Sequence, residues 1–237
     1  MHVKLWGTRG TVPTPTPHTT QYGGNTPCVS VRASDGELII LDAGIGLHWL
    51  GNELLSNGFA EKGRAHILIS HMHWGHIQGL PFFQPMLVDS CQIHLHGYGD
   101  GIPLRDVLGR QMEHAYCPVP DFFDEGIGAR LTTADIGEDP IQVGITTITP
   151  RKVNHTPGIS TFGFRLDSDG QSLAYIPDVE YLNETHQRPA LQLAEGVDLL
   201  IHDAHHTSAE YDSQRGCGHC SDAAAVELAR KADVGKL

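Results

Sequence analysis

The pattern of apolar and polar positions divides the chain into short extended runs separated by turns and a few helical stretches. His2 to Trp6 reads as a first strand, and Gly7 to Pro27, rich in Gly, Thr and Pro, as a loop. Cys28 to Arg32 and Glu37 to Leu41 are β-rich and joined by Ala33-Ser34-Asp35-Gly36, a hairpin signal. Leu47 to Ser56 carries apolar residues at 47, 50, 54 and 55 and stops at Asn57-Gly58, which predicts a helix. Ile67 to Ile69 is a short buried strand running into a loop with His71, His73 and His76. Gln92 to His96 predicts another strand and Leu104 to Met112 a helix. Ala115 to Pro140 predicts mostly loop with short extended pieces. Strands return at Ile141 to Ile148, in a run ending at Asn154-His155, at Thr161 to Leu166, and at Ser172 to Ile176 before Pro177-Asp178. Arg188 to Glu195 predicts a helix, Asp198 to His202 a buried strand, and Asp222 to Lys231 a helix capped by Ser221. With no internal repeat and no linker, the alternation predicts one α/β domain over 1–237: two mixed sheets with helices outside.

Composition narrows the function classes. The chain has 237 residues, 40% hydrophobic and 19% charged, enough to bury a core. No apolar run is long enough to span a membrane, and MHVKLWGTRG lacks the apolar centre of a signal peptide, so a membrane is not an expected partner. Five cysteines, an odd number, fit a reducing cytoplasm. The net charge of −12 argues against non-specific binding of nucleic acid. Between Tyr98 and Pro140 nine Asp or Glu face three Arg, which further argues against a polynucleotide.

The candidate chemistry falls at strand ends, where α/β proteins build sites. These ends carry His71, His73 and His76, then His155, Asp178, and His202 and Asp203 with His205 and His206. His71 and His73 are two apart, so extended backbone points both rings the same way. Imidazoles with one or two carboxylates suit zinc, and also iron or manganese. A histidine-rich surface loop is the competing reading of the triple, and His155 or Asp178 taken alone reads as structural.

SHMHWGHIQGLPFF resembles the H-x-H-x-D-H signature of the metallo-β-lactamase superfamily. The resemblance is closest to its phosphodiesterase branch, with the tRNA 3′-processing endonucleases and cyclic-phosphate phosphodiesterases. KLWGTRGTVPTP, QYGGNTPC, LIILDAGIG, VNHTPGISTFGFRL, LAYIPDVE, DLLIHDAHHT and RGCGHC resemble further family blocks in the same order. The resemblance implies an αββα sandwich of two mixed β-sheets flanked by helices. It implies that His71, His73 and His155 bind a first metal, Zn²⁺ or else Mn²⁺ or Fe, with Asp178 bridging to a second. It implies that His76 serves that second metal and that His219 assists at the scissile phosphate.

Two departures bear on activity. Gly75 stands where the signature has aspartate, and the chain stops at Leu237, where the family's last strand and final histidine ligand would begin. The first position keeps His71, His73, His155 and Asp178, whereas the second keeps only His76 and Asp178. The expectation is one well-occupied metal and a weak second position. Cys217 and Cys220 flank His219, and a thiolate there offers a substitute ligand; the CGHC run also reads as a redox motif, but without a thioredoxin-like setting. Asn25 and Thr26 lie in a loop read as bordering the pocket or as ordinary turn residues. The expected function is a metal-dependent phosphodiesterase of a small phosphodiester, with a nucleic-acid polymer not expected and a homodimer as the other partner considered. A metal- or ligand-binding member without turnover, a sensor or scaffold, is the alternative, and a thioester or lactam hydrolase a third.

Overall fold

The computed structural model describes residues 1–119, 121–124 and 128–237. The chain forms two compact units, one of residues 2–135 and one of residues 136–237 with Met1.

The first unit is built on a six-stranded sheet in sequence order: β1 His2–Gly7, β2 Cys28–Arg32, β3 Leu38–Leu41, β4 Arg64–Leu68, β5 Gln92–Gly97 and β6 Arg130–Asp135. β1 to β3 pair antiparallel and β3 to β6 pair parallel. Helix α1, Gly46–Ser56, buries Leu47, Leu50 and Leu54, the stripe that its spacing predicted, and ends before Gly58, whose φ of 82° only glycine adopts readily. α2, Trp74–Ile77, is a single turn inside the histidine loop, and α3, Leu104–Gly109, continues into a 3-10 turn at Arg110–Met112. Side chains such as Leu47, Ile67, Ile93 and Phe83 form one apolar core with these helices. Each fully buried aliphatic contributes about 1.5–3 kcal/mol relative to exposure.

The second unit is a five-stranded sheet, ordered β11-β10-β9-β8-β7. Its strands are β7 Ile141–Val143, β8 Thr146–Val153, β9 Thr161–Ser168, β10 Gln171–Ile176 and β11 Leu199–His202, with only the β10–β11 pair parallel. The run expected as one strand from Ile141 to Ile148 is split, because Gly144 at φ 53° turns the chain into a hairpin. α4, Glu184–Ala194, begins earlier than expected: Asn183 accepts from His186 N at 3.1 Å and caps it. α5, Ser208–Gln214, buries nothing, and α6, Asp222–Lys231, is capped by Ser221 accepting from Ala224 N. Past α6, Leu200 N donates to Lys236 O at 2.8 Å, so residues near Leu237 lie along β11.

Within the stretch Ala115 to Pro140, expected as loop with short extended pieces, β6 is a full strand paired with β5. Residues 120 and 125–127 of that stretch lie outside the described residues. No helix among the described residues is long and apolar enough to cross a membrane.

Strand direction positions the chemistry. β3 and β4 are parallel with Leu41 opposite Leu68, so the residues that follow them, Asp42 and Ser70-His71, emerge at one edge. In the second sheet β8, β10 and β11 run the same way, and their ends deliver His155, Asp178 and Asp203 to one edge.

Backbone contact at Gly79 ties α2 to the turn after β3. A Cβ there would lie 2.1 Å from Gly44 O. Gly79→Ala is therefore expected to cost about 3 kcal/mol in urea unfolding. Gly137→Ala, where a Cβ meets nothing within 4 Å, should stay within about 0.5 kcal/mol of the parent. Equal midpoints for the two would refute the account.

Candidate metal centre and proton-transfer groups

In the first unit the site is organised by Asp42. It follows β3 at φ 60°, a left-handed conformation that Asp tolerates better than most residues, and is fully buried. One carboxylate oxygen accepts from Ser70 N at 2.7 Å. The other accepts from Ser70 Oγ at 3.0 Å and from His76 Nδ1 at 2.7 Å. A carboxylate only accepts, so the Ser70 hydroxyl spends its proton on Asp42. Its oxygen therefore accepts from His71 Nδ1, 3.0 Å away. That leaves His71 Nε2 as the basic nitrogen, and it lies 2.9 Å from His73 Nδ1.

Two imidazole nitrogens this close suit a shared cation. At zinc–nitrogen distances of about 2.0–2.1 Å, tetrahedral ligands stand about 3.3 Å apart. The donor pair thus fits a divalent metal, which His71 Nε2 and His73 Nδ1 could hold. His76 is held differently. Its Nδ1 is engaged by Asp42, the arrangement that orients a metal-ligating histidine through its other nitrogen. Gly75 has main chain beside it: a Cβ would lie 3.1 Å from Thr11 O and 3.3 Å from Thr11 Cα.

In the second unit His155 and Asp178 are both buried, with His155 Nε2 3.5 Å from an Asp178 oxygen. His155 Nδ1 donates to Gly218 O at 2.7 Å, which leaves Nε2 as the basic nitrogen, able to take a metal. Gly218 is fixed in turn by Glu180, buried to 1% exposure. The Glu180 carboxylate accepts from Gly218 N at 2.9 Å, Gly216 N at 2.6 Å and Tyr211 Oη at 3.0 Å. Burial first, then Glu180, pushes the Tyr211 hydroxyl up to about 12, so it stays a donor. Gly218 itself has φ 94°, and a Cβ there would lie 2.7 Å from His155 Nδ1.

His219 is paired with Asp203. One Asp203 oxygen accepts from His219 Nδ1 at 2.8 Å and from Val179 N at 3.1 Å; the other accepts from His205 N at 2.9 Å. The His219 ring stacks on His205, centroids 4.3 Å apart, and stands edge-on to His155 at 5.0 Å. With Nδ1 committed, Nε2 is the nitrogen able to exchange a proton. His202 belongs to the scaffold, bonded to Tyr181 Oη and Asp203 O.

Other candidates fall elsewhere. Thr26 is fully buried and accepts from Ile45 N and Gln78 Nε2, and Asn25 Nδ2 donates to Trp6 O. Thr26 braces the turns before α1 and after α2, and Asn25 ties its loop to β1. The five cysteines are free; Cys220 is buried, and that burial pushes its thiol well up. Sequence reasoning left Asp42, Ser70 and Glu180 without a role. Asp42 had a local signal, an acid at the end of a fully apolar strand, whereas Glu180 had none.

The model of the beta-lactamase superfamily domain matches residues 38–237. A ribonuclease Z of Sulfolobus acidocaldarius is 28% identical over 254 residues, covering 89% of this chain and 80% of the relative. A ribonuclease Z of Haloferax volcanii is 24% identical, covering 99% and 82%. The human tRNase Z short form superposes with a TM-score of 0.69 at 22% identity, over 98% of this chain and 89% of that one, a likeness of fold.

These relatives overturn the exclusion of a nucleic-acid polymer, since both curated sequences are ribonucleases matched over most of their length. The physical error lay in reading the net charge of −12 as a local field. A polynucleotide meets the local potential where it binds, which the net charge of the chain does not report.

Asp42→Ala would strip His76 and Ser70 of their shared acceptor. Urea unfolding is expected to show a loss of about 3 kcal/mol, with about half that for Asp42→Asn, which keeps one acceptor and the left-handed backbone. An Asp42→Ala protein as stable as the parent would refute this role.

Proposed function

The chain belongs to the beta-lactamase superfamily and is a hydrolase of that class, and we propose that the bond it cleaves is a phosphodiester, with RNA among its substrates. The observation that carries the proposal is the match to two ribonucleases Z across at least 80% of their length. The proposed ligands are His71, His73, His155 and Asp178, the family's first metal position, with zinc favoured by three imidazoles and one carboxylate. The bonds that commit Nδ1 of His71 to Ser70 and Nδ1 of His155 to Gly218 support this, because each leaves Nε2 basic.

A bound divalent cation supplies Lewis acidity and makes hydroxide available near neutral pH. The chain's own groups supply the rest. Ser70 and Asp42 hold His71 in one tautomer. Glu180 holds the loop whose carbonyl does the same for His155. His219, oriented by Asp203, is the proposed general acid, giving a proton from Nε2 to the leaving oxygen. His76 is the proposed remnant of the second position, which Gly75 leaves short of a carboxylate.

That shortage favours a second reading, a member that holds metal but turns over slowly or not at all. Thr11 main chain beside Gly75 is the specific support for it.

Hydrolysis of bis(p-nitrophenyl) phosphate and of an RNA with a 3′ extension, measured with added Zn²⁺, Mn²⁺ and Fe²⁺, separates the two readings. Turnover of either substrate is expected, and background rates with every metal would select the non-catalytic reading. His219→Ala should lower kcat by about 10²–10⁴ with little change in KM. His71→Ala combined with His73→Ala should remove both activity and the tightly held ion. In Gly75→Asp the Cβ meets Thr11 backbone at 3.1 Å, so little gain in turnover is expected.

A further inference from the structure

The first sheet carries three more imidazoles that the hydrolytic site does not use. β4 and β5 pair in parallel with His66 opposite His94. His96 lies two residues beyond His94 and so on the same face. The His66 ring stacks on His94, centroids 4.5 Å apart at 23°, and on His96, 5.5 Å apart at 20°. His66 Nδ1 lies 3.2 Å from His96 Nε2. His94 Nδ1 lies 2.7 Å from Thr132 Oγ1 on β6. All three side chains are half-buried.

The spacing between His66 and His96 is close to the edge of about 3.3 Å between ligands of tetrahedral zinc. His66 and His96 thus hold two nitrogens together across neighbouring strands of a rigid frame, while His94, on the same face, is turned to Thr132. The side chains are also in the ligating form. Burial first, then His94, His96 and Arg64, lowers His66 to about 4. Burial likewise lowers His94, with Arg64 adding to it, and His96, with His94 adding to it. Neutral imidazoles at pH 7 do not have to lose a proton to bind an ion.

We propose that His66 and His96, joined by His94 when its ring turns from Thr132, form a further transition-metal site for a borderline divalent cation such as Zn²⁺ or Cu²⁺. An imidazole set of this kind selects such ions over Mg²⁺ or Ca²⁺. The ion would clasp β4 to β5, so that its binding free energy becomes stability of the sheet.

The test uses the full chain carrying His71→Ala and His73→Ala, which separates this site from the hydrolytic one. Titration with Zn²⁺, followed by calorimetry and elemental analysis, is expected to show one ion per chain and a raised Tm. Adding His66→Gln or His96→Gln should weaken binding at least tenfold. Unchanged binding in both, or no ion on the folded double-alanine chain, would overturn the proposal. Should the variants not fold, the parent chain serves: Zn²⁺ should protect His66 and His96 from diethyl pyrocarbonate, read by mass spectrometry. Equal modification of these two residues with and without Zn²⁺ overturns the proposal as well.

Discussion

The first unit's candidate chemistry depends on one carboxylate buried beneath it. Asp42 is fully buried and serves three donors, Ser70 N, Ser70 Oγ and His76 Nδ1. Burying a charge is costly unless hydrogen bonds compensate it, and here the compensating donors are the residues whose orientation matters. The proton of Ser70 goes to Asp42, so the proton of His71 goes to Ser70. The tautomer of His71, a proposed metal ligand, is thus decided two hydrogen bonds away, by the geometry that lets β3 and β4 end side by side. Glu180 plays the same part in the second unit through backbone amides, ordering the Gly216–Gly218 turn whose carbonyl sets His155. Two acids in different loops solve the same problem by different routes, hydroxyl in one case and peptide in the other.

Much of this frame was legible from residues alone. Strands with apolar runs, such as Leu38–Leu41 and Leu199–His202, and helices with a buried stripe, such as α1, stood where their periodicity put them. The elements missed lack that stripe. β6 alternates only between exposed and half-exposed positions, and α5 buries no residue, so neither leaves a hydrophobic trace. The hairpin at Gly144 was lost inside a continuous β-rich run because a single glycine carries the turn. Histidines near strand ends could be recognised by type and spacing. The acids that orient them could not, since burial of Glu180 arises only when Tyr211 and the Gly216–Gly218 turn fold onto it.

The reading of charge illustrates the same boundary. Composition reports a sum, and a sum of −12 describes how the molecule behaves at a distance. Recognition of a substrate is decided within a few ångströms, where the groups at the contact outweigh distant carboxylates. The histidine content is likewise uneven. His202 is absorbed by the scaffold through Tyr181, whereas His66, His94 and His96 share one sheet face and His71 and His73 share one turn.

The main chain beside Gly75 has a consequence for descent. From a glycine codon ending in a pyrimidine, aspartate is one nucleotide away, so restoring the signature residue looks like a single mutational step. Thr11 O lies 3.1 Å from the position of a new Cβ, and a peptide carbonyl cannot step aside by changing rotamer. A lineage regaining aspartate would need the Thr11 backbone to give by a few tenths of an ångström. Reversal is then coupled to how far that loop can yield.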